Sequence, residues 1–288
     1  MIQGLTVSLG ERRLVGPLDL ELKGGGVLGV VGESGSGKTL TLRALAGIVP
    51  EGLHALGGGV PGSALVFQDP GSYFNPRWRI GRSLQEVLHV VRRVPVSQTE
   101  SAISSLLNDV ELENDDAELF PFEMSGGMLQ RAAIAMALAT EPQLLLADEA
   151  TSALDPLTRD RILTLLCRVA REREIPAVVV SHDLESLSSV ADGIVVLYNG
   201  IAIEEGQGSL VVATPRHRYL ELLLKSRPCR ETAGRVLPEI PRGESETSQG
   251  CPFAPRCPNA DGRCRTEMPR WAGSSSHRFR CHHPAEPQ

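Results

Sequence analysis

The sequence predicts an α/β protein built on a mostly parallel sheet, and three observations carry that prediction. Short apolar runs alternate with helical patterns over residues 1–225, each run is continuous rather than alternating, and a glycine-rich loop directly follows one of them. Continuous runs of leucine and β-branched residues are typical of strands that are buried on both faces. The best candidate strands are residues 27–31, 143–147, 177–181 and 194–198.

Helices are predicted between and after these strands. The residues that favour helix cover 38–47, 157–172 and 217–225, and the apolar spacing over 97–120 indicates a separate helical segment. Ser125 precedes a run of good helix formers that reaches Ala139, so it is predicted to be the N-cap of a helix.

A hairpin is predicted near residue 200. Asn199-Gly200 separates the run at 194–198 from a second apolar run, and this dipeptide favours a two-residue turn between antiparallel strands. The sheet is therefore expected to be parallel with an antiparallel edge.

Composition limits the function classes. The chain has 288 residues, a net charge of −6 and only 4% aromatic residues, which argues against a nucleic-acid partner. No apolar run reaches the roughly 18 residues of a membrane span, and the N-terminus lacks the basic and then apolar pattern of a signal peptide. We expect a cytosolic chain that can dock on a membrane protein.

Three regions are predicted along the chain. Residues 1–225 form a globular domain, and the polar, proline-containing stretch 226–250 is a linker. Residues 251–288 are rich in cysteine, proline and arginine and show no periodicity. So short a segment cannot bury a core of its own, so it is expected to need a covalent or metal staple.

The glycine-rich loop has the pattern of a phosphate-binding loop. GESGSGKT at 32–39 follows a predicted strand and opens a predicted helix. Its backbone N–H groups would point at phosphate oxygens, Lys38 would bridge the β- and γ-phosphates of ATP, and the Thr39 hydroxyl would bind Mg²⁺. The expected nucleotide-binding residues are Gly32, Glu33, Ser34, Gly35, Ser36, Gly37, Lys38, Thr39 and Leu40.

Acidic and imidazole side chains follow two other predicted strands. Asp148 is placed to hold Mg²⁺, and the adjacent Glu149 could act as the general base that polarises an attacking water. A histidine after a strand is more often structural, but His182 follows a third core strand, which favours a role in sensing the γ-phosphate. A solvated turn is the alternative for the acidic pair.

These motifs together resemble the ATP-binding-cassette (ABC) ATPases. Their order matches that family over residues 1–205: the loop at 32–39, FQDP with Gln68, MSGGM with Ser125, Gly126 and Gly127, LLLADEA with Asp148 and Glu149, SALD with Asp155, and His182. The resemblance implies an ABC-type P-loop core in residues 1–225, with a helical subdomain at about 76–125. It also implies that Gln68 binds Mg²⁺ and assists catalysis with Lys38, Glu149 and His182.

The resemblance further implies that the nucleotide site is shared between two cassettes. In this family the helix that starts at Ser125 points its N-terminus at the γ-phosphate held by the other cassette, and Asp155 lies at the same interface. The usual glutamine of the signature is Met128 here, so only Ser125 is expected to cap the helix. The implied partners are a related second ATPase subunit in a heterodimer, with a homodimer as the alternative, two transmembrane permeases and an extracytoplasmic substrate-binding protein.

Two groups of importers resemble this chain. FPFEMSGGMLQR at 120–131 is similar to nickel and metal-chelate importer ATPases, whereas the cysteine tail is similar to that of oligopeptide and dipeptide importer ATPases. Both imply a peripheral protein on the cytoplasmic face of the membrane. A non-transport ABC ATPase of the DNA-repair or translation type is the alternative. Those proteins typically carry two cassettes or long coiled coils.

Four cysteines of the tail are candidate metal ligands: Cys251, Cys257, Cys264 and Cys281. Four thiolates suit either a [4Fe–4S] cluster or Zn²⁺. The resemblance to peptide-importer ATPases favours the cluster. With zinc, His277, His282 or His283 could replace a thiolate.

Overall fold

The computed structural model describes residues 1–150, 155–181, 183–226, 237–241 and 249–286. In these residues the chain forms an α/β fold, as the sequence predicts. The strands are β1 (Ile2–Leu9), β2 (Arg12–Leu20), β3 (Val27–Val31), β4 (Leu53–Leu56), β5 (Ser63–Val66), β6 (Leu144–Asp148), β7 (Ala177–Val180), β8 (Gly193–Tyr198), β9 (Ile201–Gln207), β10 (Ala272–Ser274) and β11 (His277–Phe279). The helices are α1 (Lys38–Ala46), α2 (Ile80–Val90), α3 (Val96–Asp109), α4 (Gly126–Leu138), α5 (Pro156–Glu172), α6 (Leu184–Val190), α7 (Gly208–Ala213), α8 (Arg218–Lys225) and α9 (Gly262–Thr266).

The main sheet has eight strands in the order β10-β11-β9-β8-β3-β7-β6-β5. Strands β8, β3, β7, β6 and β5 are parallel, so their carboxyl ends share one edge. β9 returns antiparallel to β8 through Asn199 and Gly200, whose φ angles are 47° and 77°. Positive φ at both positions confirms the predicted hairpin turn.

The parallel strands are buried on both faces. Successive residues of β6 alternate between two apolar clusters: Leu144 and Leu146 pack with one, and Leu145 and Ala147 with the other. Helices cover one cluster, and α1 with the small sheet β2-β1-β4 covers the other. This double burial explains why the strand sequences are continuously apolar.

A helical arm lies between β5 and α4, in the part of the chain where a helical subdomain is predicted. Its helices α2 and α3 are followed by a 3₁₀ turn at Asn114–Glu118. The single helical segment expected at 97–120 is therefore wrong in its extent. α3 ends at Asp109, and Glu111 has a φ of 57°, which a continuing helix cannot accommodate.

The C-terminal residues are integrated into the main sheet, which the sequence does not predict. β10 and β11 form a hairpin, and β11 pairs antiparallel with β9. Phe253 is fully buried against Tyr198 and Tyr219. The segment thus packs its apolar residues into the core of the larger domain and does not form a separate core. No helix in the described part of the chain is long and apolar enough to span a membrane.

Candidate nucleotide site and cysteine cluster

The loop at 32–39 adopts a shape that its glycines alone permit. Gly32 has a φ of 156°, and a Cβ there would lie 2.3 Å from the Leu197 carbonyl oxygen. Gly37 has a φ of 99°, and a Cβ would lie 2.8 Å from Val15 Cγ2. Backbone in this conformation, held tightly against the sheet before a helix, is the cradle that phosphate-binding loops provide.

Lys38 lies inside this loop. Its side chain is buried, and Nζ donates to the carbonyl oxygens of Gly32 and Glu33, both at 2.9 Å. Burial lowers the pKa of Lys38, although Glu149 and Asp148 nearby favour the charged form. Ser36 Oγ is also buried and has no hydrogen-bond partner among the described residues. A buried cation beside an unpartnered hydroxyl fits an anion such as a nucleotide phosphate.

The two residues predicted to hold Mg²⁺ from the P-loop and β6 meet across the sheet edge. The Thr39 hydroxyl donates to Asp148 Oδ1 at 3.1 Å. Burial raises the pKa of Asp148, while the hydrogen bond from Thr39 and the charges of Arg43 and Lys38 lower it. A hydroxyl and a carboxylate are hard oxygen ligands of the kind that Mg²⁺ prefers.

Glu149 occupies a constrained position beside them. Its φ is 49°, and its N–H donates to the Val180 carbonyl oxygen at 3.2 Å. A left-handed glutamate directly after a strand is uncommon, and such backbone is concentrated at functional sites. Glu149 lies at the same sheet edge as the loop at 32–39, where the sequence places it.

Gln68 is exposed and follows β5, whose Val66 lies opposite Ala147 of β6. Because β5 and β6 are parallel neighbours, Gln68 and Glu149 both follow strands at the same sheet edge. The sequence missed Tyr73, which braces this turn: its hydroxyl donates to the Leu65 carbonyl oxygen at 2.7 Å and accepts from the Phe67 N–H. No sequence signal separates Tyr73 from an ordinary aromatic residue.

The predicted site residues near the end of β7 and in the SALD motif are only partly covered. His182 and residues 151–154 lie outside the described residues. Asp155 is described: it caps α5, and its side chain accepts from the Thr158 N–H at 3.1 Å. The hydrogen bonds from Thr158 lower the pKa of this exposed carboxyl and outweigh the opposing effect of burial.

The N-terminus of α4 is exposed. Ser125 is its N-cap, as predicted, and accepts from the Met128 N–H at 3.3 Å. Ser125 and Gly126 are both exposed. Gly127 lies against the start of α5, where a Cβ would be 2.9 Å from Thr158 Cγ2. Gly32 and Gly37 lie against Leu197 and Val15 instead, so the two candidate phosphate-binding elements have different neighbours.

The four tail cysteines come together. Cys251 N–H donates to the Cys264 carbonyl oxygen at 2.8 Å, and none of the four cysteines forms a disulfide with another described residue. Burial raises the pKa of Cys251 to about 12, with further increases from the charges of Cys281, Cys264 and Cys257. The pKa values of the other three thiols are also raised by burial.

Histidines surround these thiols in different ways. His283 Nε2 lies 2.9 Å from Asp261 Oδ2, and the ligand atoms of Asp261, Cys264 and His283 lie within 4.8 Å of one another. His277 instead pairs with buried Glu204 at 2.7 Å, and His282 Nε2 lies 3.1 Å from the Glu267 carbonyl oxygen.

The sequence missed His217, which contacts the thiols from outside the tail. It is fully buried in α8's N-cap position, and Nε2 lies 3.7 Å from Cys251 Sγ. Its Nδ1 accepts from the Tyr219 N–H, so in the neutral ring the proton is on Nε2, directed at that sulfur. Only the folded chain brings residues 217 and 251 together, so no local pattern could have identified this contact.

Comparisons with known proteins identify the family of the chain. A family profile described as "ABC transporter" matches residues 15–152, and one described as "Oligopeptide/dipeptide transporter, C-terminal region" matches residues 203–264. The first range contains the P-loop, Gln68 and the Asp148–Glu149 pair.

Individual relatives match over almost the whole chain. The dipeptide transport ATP-binding protein DppD of Escherichia coli is 32% identical over 99% of this chain and 96% of its own length. The oligopeptide transport ATP-binding protein OppD of Salmonella typhimurium is 33% identical over 96% of this chain and 90% of its own length. Among solved structures, cbiO1 from Clostridium perfringens, part of the ABC transporter complex cbiONQ, has a TM-score of 0.63 at 22% identity. That similarity covers 73% of this chain and 91% of that one, and it shows the fold.

Proposed function

The chain belongs to the family of ATP-binding proteins of ABC transporters, and from this premise we propose that it energises the import of oligopeptides or dipeptides. It is the ATP-binding and ATP-hydrolysing subunit of such a transporter. Relatives named for dipeptide and oligopeptide transport match nearly end to end, and a peptide-transporter profile matches residues 203–264. The non-transport alternative is set aside, because the match to transport proteins covers the whole chain.

The observation that carries the ATPase is the convergence of Lys38, Thr39 and Asp148. The loop at 32–39 holds the phosphates of ATP, and Lys38 gives up its carbonyl contacts to bind them. Thr39, Asp148 and Gln68 hold Mg²⁺, which neutralises charge on the phosphate oxygens when bound. Glu149 orients and deprotonates the attacking water, and His182 takes the γ-phosphate contact that the sequence predicts.

The site requires a second cassette. Support comes from the exposed N-terminus of α4, where Ser125, Gly126 and Gly127 present free backbone donors and a positive helix end. Leu157, two residues after Asp155, is 70% exposed, which suits a surface that another chain covers. The partner is a related ATPase subunit with its own P-loop, giving a heterodimer.

The transporter assembly follows from the same premise. Two permeases span the membrane, a substrate-binding protein delivers the peptide from outside, and this chain lies on the cytoplasmic face. Residues 68–82 are the segment that would receive a permease. In this segment Trp78 is only half-buried, and the Arg82 guanidinium lies 5.2 Å from its ring centre. The permeases and the binding protein choose the cargo.

The cysteine tail holds a metal group. In this proposal, the ATPase domain comprises residues 1–225, the linker 226–250 and the tail 251–288. The donor set fits a [4Fe–4S] cluster: it has four thiols, two buried and two half-buried, and the charges of the other three raise the pKa of Cys251. One tetrahedral Zn²⁺, with Zn–S bonds of roughly 2.3 Å, would need its sulfurs only about 3.8 Å apart. Among the described residues, the ligand atoms that lie within 4.8 Å belong to Asp261, Cys264 and His283, which keeps zinc as the alternative. Iron, sulfide and zinc analysis of the purified chain separates these two assignments.

Uptake by cells tests the cargo. In cells that lack this chain, we expect uptake of a labelled dipeptide to be lost and uptake of labelled nickel, free or chelated, to be unchanged. Wild-type chain should restore peptide uptake and Glu149→Gln should not. Loss of nickel uptake alone would contradict the peptide proposal and favour the similarity of residues 120–131 to nickel importers.

Trapping tests the catalytic role of Glu149. With its partner subunit present, Glu149→Gln should bind ATP with wild-type affinity, hydrolyse it at least roughly 100-fold more slowly, and accumulate as an ATP-bound dimer on gel filtration. A variant that stays monomeric in ATP, or that keeps its turnover, would contradict the role of general base. Full, cooperative ATPase activity of this chain alone would contradict the heterodimer.

A further inference from the structure

A residue of the cysteine tail contacts the phosphate-binding loop directly. Arg256 lies in a 3₁₀ turn at Ala254–Arg256, next to Cys257. Its Nη1 donates to Glu33 Oε2 at 2.8 Å and its Nη2 donates to Glu33 Oε1 at 3.0 Å. Nη1 also donates to the Tyr198 hydroxyl at 3.0 Å, and Nε donates to the Pro241 carbonyl oxygen at 2.6 Å. All three guanidinium nitrogens are thus engaged.

This ion pair differs from an ordinary surface pair. The side chains of Arg256 and Glu33 are 15% and 30% exposed, and the two parallel hydrogen bonds fix their relative orientation. Bidentate pairs of this kind are stronger and more directional than exposed single contacts. The hydrogen bonds to Glu33 and Tyr198 raise the pKa of Arg256, so it stays charged.

Glu33 is the junction between this pair and the nucleotide site. Its N–H donates to the Tyr219 hydroxyl at 2.8 Å, and its carbonyl oxygen accepts from Lys38 Nζ at 2.9 Å. One residue therefore receives Arg256 and Tyr219 on one side and the phosphate-binding lysine on the other. Gly32 precedes Glu33 and Gly35 follows two residues later, so the backbone around Glu33 has more conformational freedom than one built from other residues.

The tail is anchored in the core close to Arg256. Phe253 is fully buried, with its ring centre 5.2 Å from that of Tyr198 and 5.5 Å from that of Tyr219. Only two residues separate it from Arg256. Anchoring by Phe253 therefore fixes the direction from which the guanidinium approaches Glu33.

We propose that Arg256 is a positioning residue of the ATP site, which holds the phosphate-binding loop through Glu33 from the C-terminal tail. The inference rests on the proposed ATP site at 32–39. Two physical effects follow. The pair keeps the loop ordered before nucleotide arrives, which lowers the entropy cost of binding. It also neutralises a carboxylate that would otherwise repel the triphosphate.

The test is the dissociation constant of a non-hydrolysable ATP analogue for the full chain, assembled with its partner if the chain requires one. Arg256→Gln should weaken binding about 5- to 20-fold. Arg256→Lys keeps the charge but loses the two parallel hydrogen bonds, so its affinity should lie between those of wild type and Arg256→Gln. In Arg256→Gln, KM for ATP should rise, while kcat should stay within about twofold of the wild-type value. The reason is that a prepositioned loop stabilises the ground state and the transition state equally.

A double-mutant cycle with Glu33→Gln tests whether Arg256 acts on the loop through Glu33. Glu33→Gln should weaken binding less than Arg256→Gln, and the double variant should be no weaker than Arg256→Gln alone, because the two residues act as a pair. Additive losses would overturn the role of Glu33. Glu33→Gln leaves the packing of the tail untouched, so it tests the pair even if Arg256→Gln folds poorly.

The matched control is Arg278→Gln. Arg278 also pairs with a glutamate of the larger domain, Glu205 at 2.6 Å, but in the hairpin strand β11. Arg278→Gln should leave nucleotide affinity unchanged. The iron and zinc content should be the same in every variant as in wild type. Arg256→Gln with wild-type affinity would overturn the inference. If wild-type chain also fails to bind, or Lys38→Met binds normally, the proposed ATP site fails instead.

Discussion

Two helix N-termini are assigned to phosphate in this chain, and their surroundings differ. α1 starts in a loop whose glycines lie against Val15 and Leu197, and its first residue, Lys38, is buried. α4 starts at an exposed N-cap, and Gly126 after it is exposed as well. The N-terminus of α1 is enclosed by residues of its own chain, whereas that of α4 is exposed and, in the proposed function, is covered by a second cassette. In the proposed function, one chain would therefore supply a whole ATP-binding site but only half of a catalytic site.

The largest effect is expected at the enclosed terminus. Lys38→Met should weaken ATP-analogue binding by about 10- to 100-fold, because a charge-assisted hydrogen bond to the phosphates is lost. Hydrolysis should be abolished with it. Isothermal titration with the analogue measures the affinity, and thermal unfolding without nucleotide shows whether the fold survives. If a folded Lys38→Met chain bound the ATP analogue with wild-type affinity, the assignment of the α1 N-terminus as the chain's own phosphate site would be contradicted.

The exposed terminus should respond in the opposite pattern. Gly126→Val should leave analogue binding to the chain unchanged and should lower ATP turnover in the assembled dimer by roughly 100-fold, because a side chain blocks the close approach of phosphate to the backbone.

Gly126→Ala is the matched control for stability. Alanine favours helix over glycine by up to roughly 1 kcal/mol, so this variant should melt at the wild-type temperature or above it while still losing turnover. A Gly126 variant that loses analogue affinity in the isolated chain would contradict the assignment of this terminus to another chain's nucleotide.

The same contrast explains what the sequence could predict. The P-loop is local: a strand, eight consecutive residues and a helix, so its pattern determines its shape, and Gly32, Gly37 and Lys38 lie as expected. The strands were predictable because burial on both faces leaves continuous apolar runs. Ser125 was predictable because capping is a local hydrogen bond.

The fold of the tail was not predictable from the sequence. Its four cysteines indicated a shared site, but β10 and β11 have three residues each, which is too short for a period to be visible. Phe253, His217 and Arg256 act across gaps of tens to hundreds of residues, as in the pair of Arg256 with Glu33. Such contacts exist only once β8, β9 and α8 have assembled, so no local pattern encodes them.

The smallest expected effect separates two roles of one hydroxyl at the exposed terminus. Ser125 Oγ accepts from the Met128 N–H at 3.3 Å, so it caps α4, and it also faces the surface assigned to the partner's nucleotide. Ser125→Ala should destabilise the chain by about 1 kcal/mol, which lowers its melting temperature by roughly 2–4 °C in a domain of this size. Ser125→Gly should cost only a few tenths of a kcal/mol, since glycine is tolerated at an N-cap.

Both Ser125 variants lack the hydroxyl, so comparing them isolates its contact with phosphate. If that contact exists, alanine and glycine should slow ATP turnover in the dimer by the same factor, about fivefold for one lost hydrogen bond, despite their different melting temperatures. Analogue binding to the isolated chain should be unchanged in both. A glycine variant that turns over as fast as wild type would mean that the hydroxyl serves only as a cap, and that the exposed terminus binds phosphate through its backbone N–H groups alone.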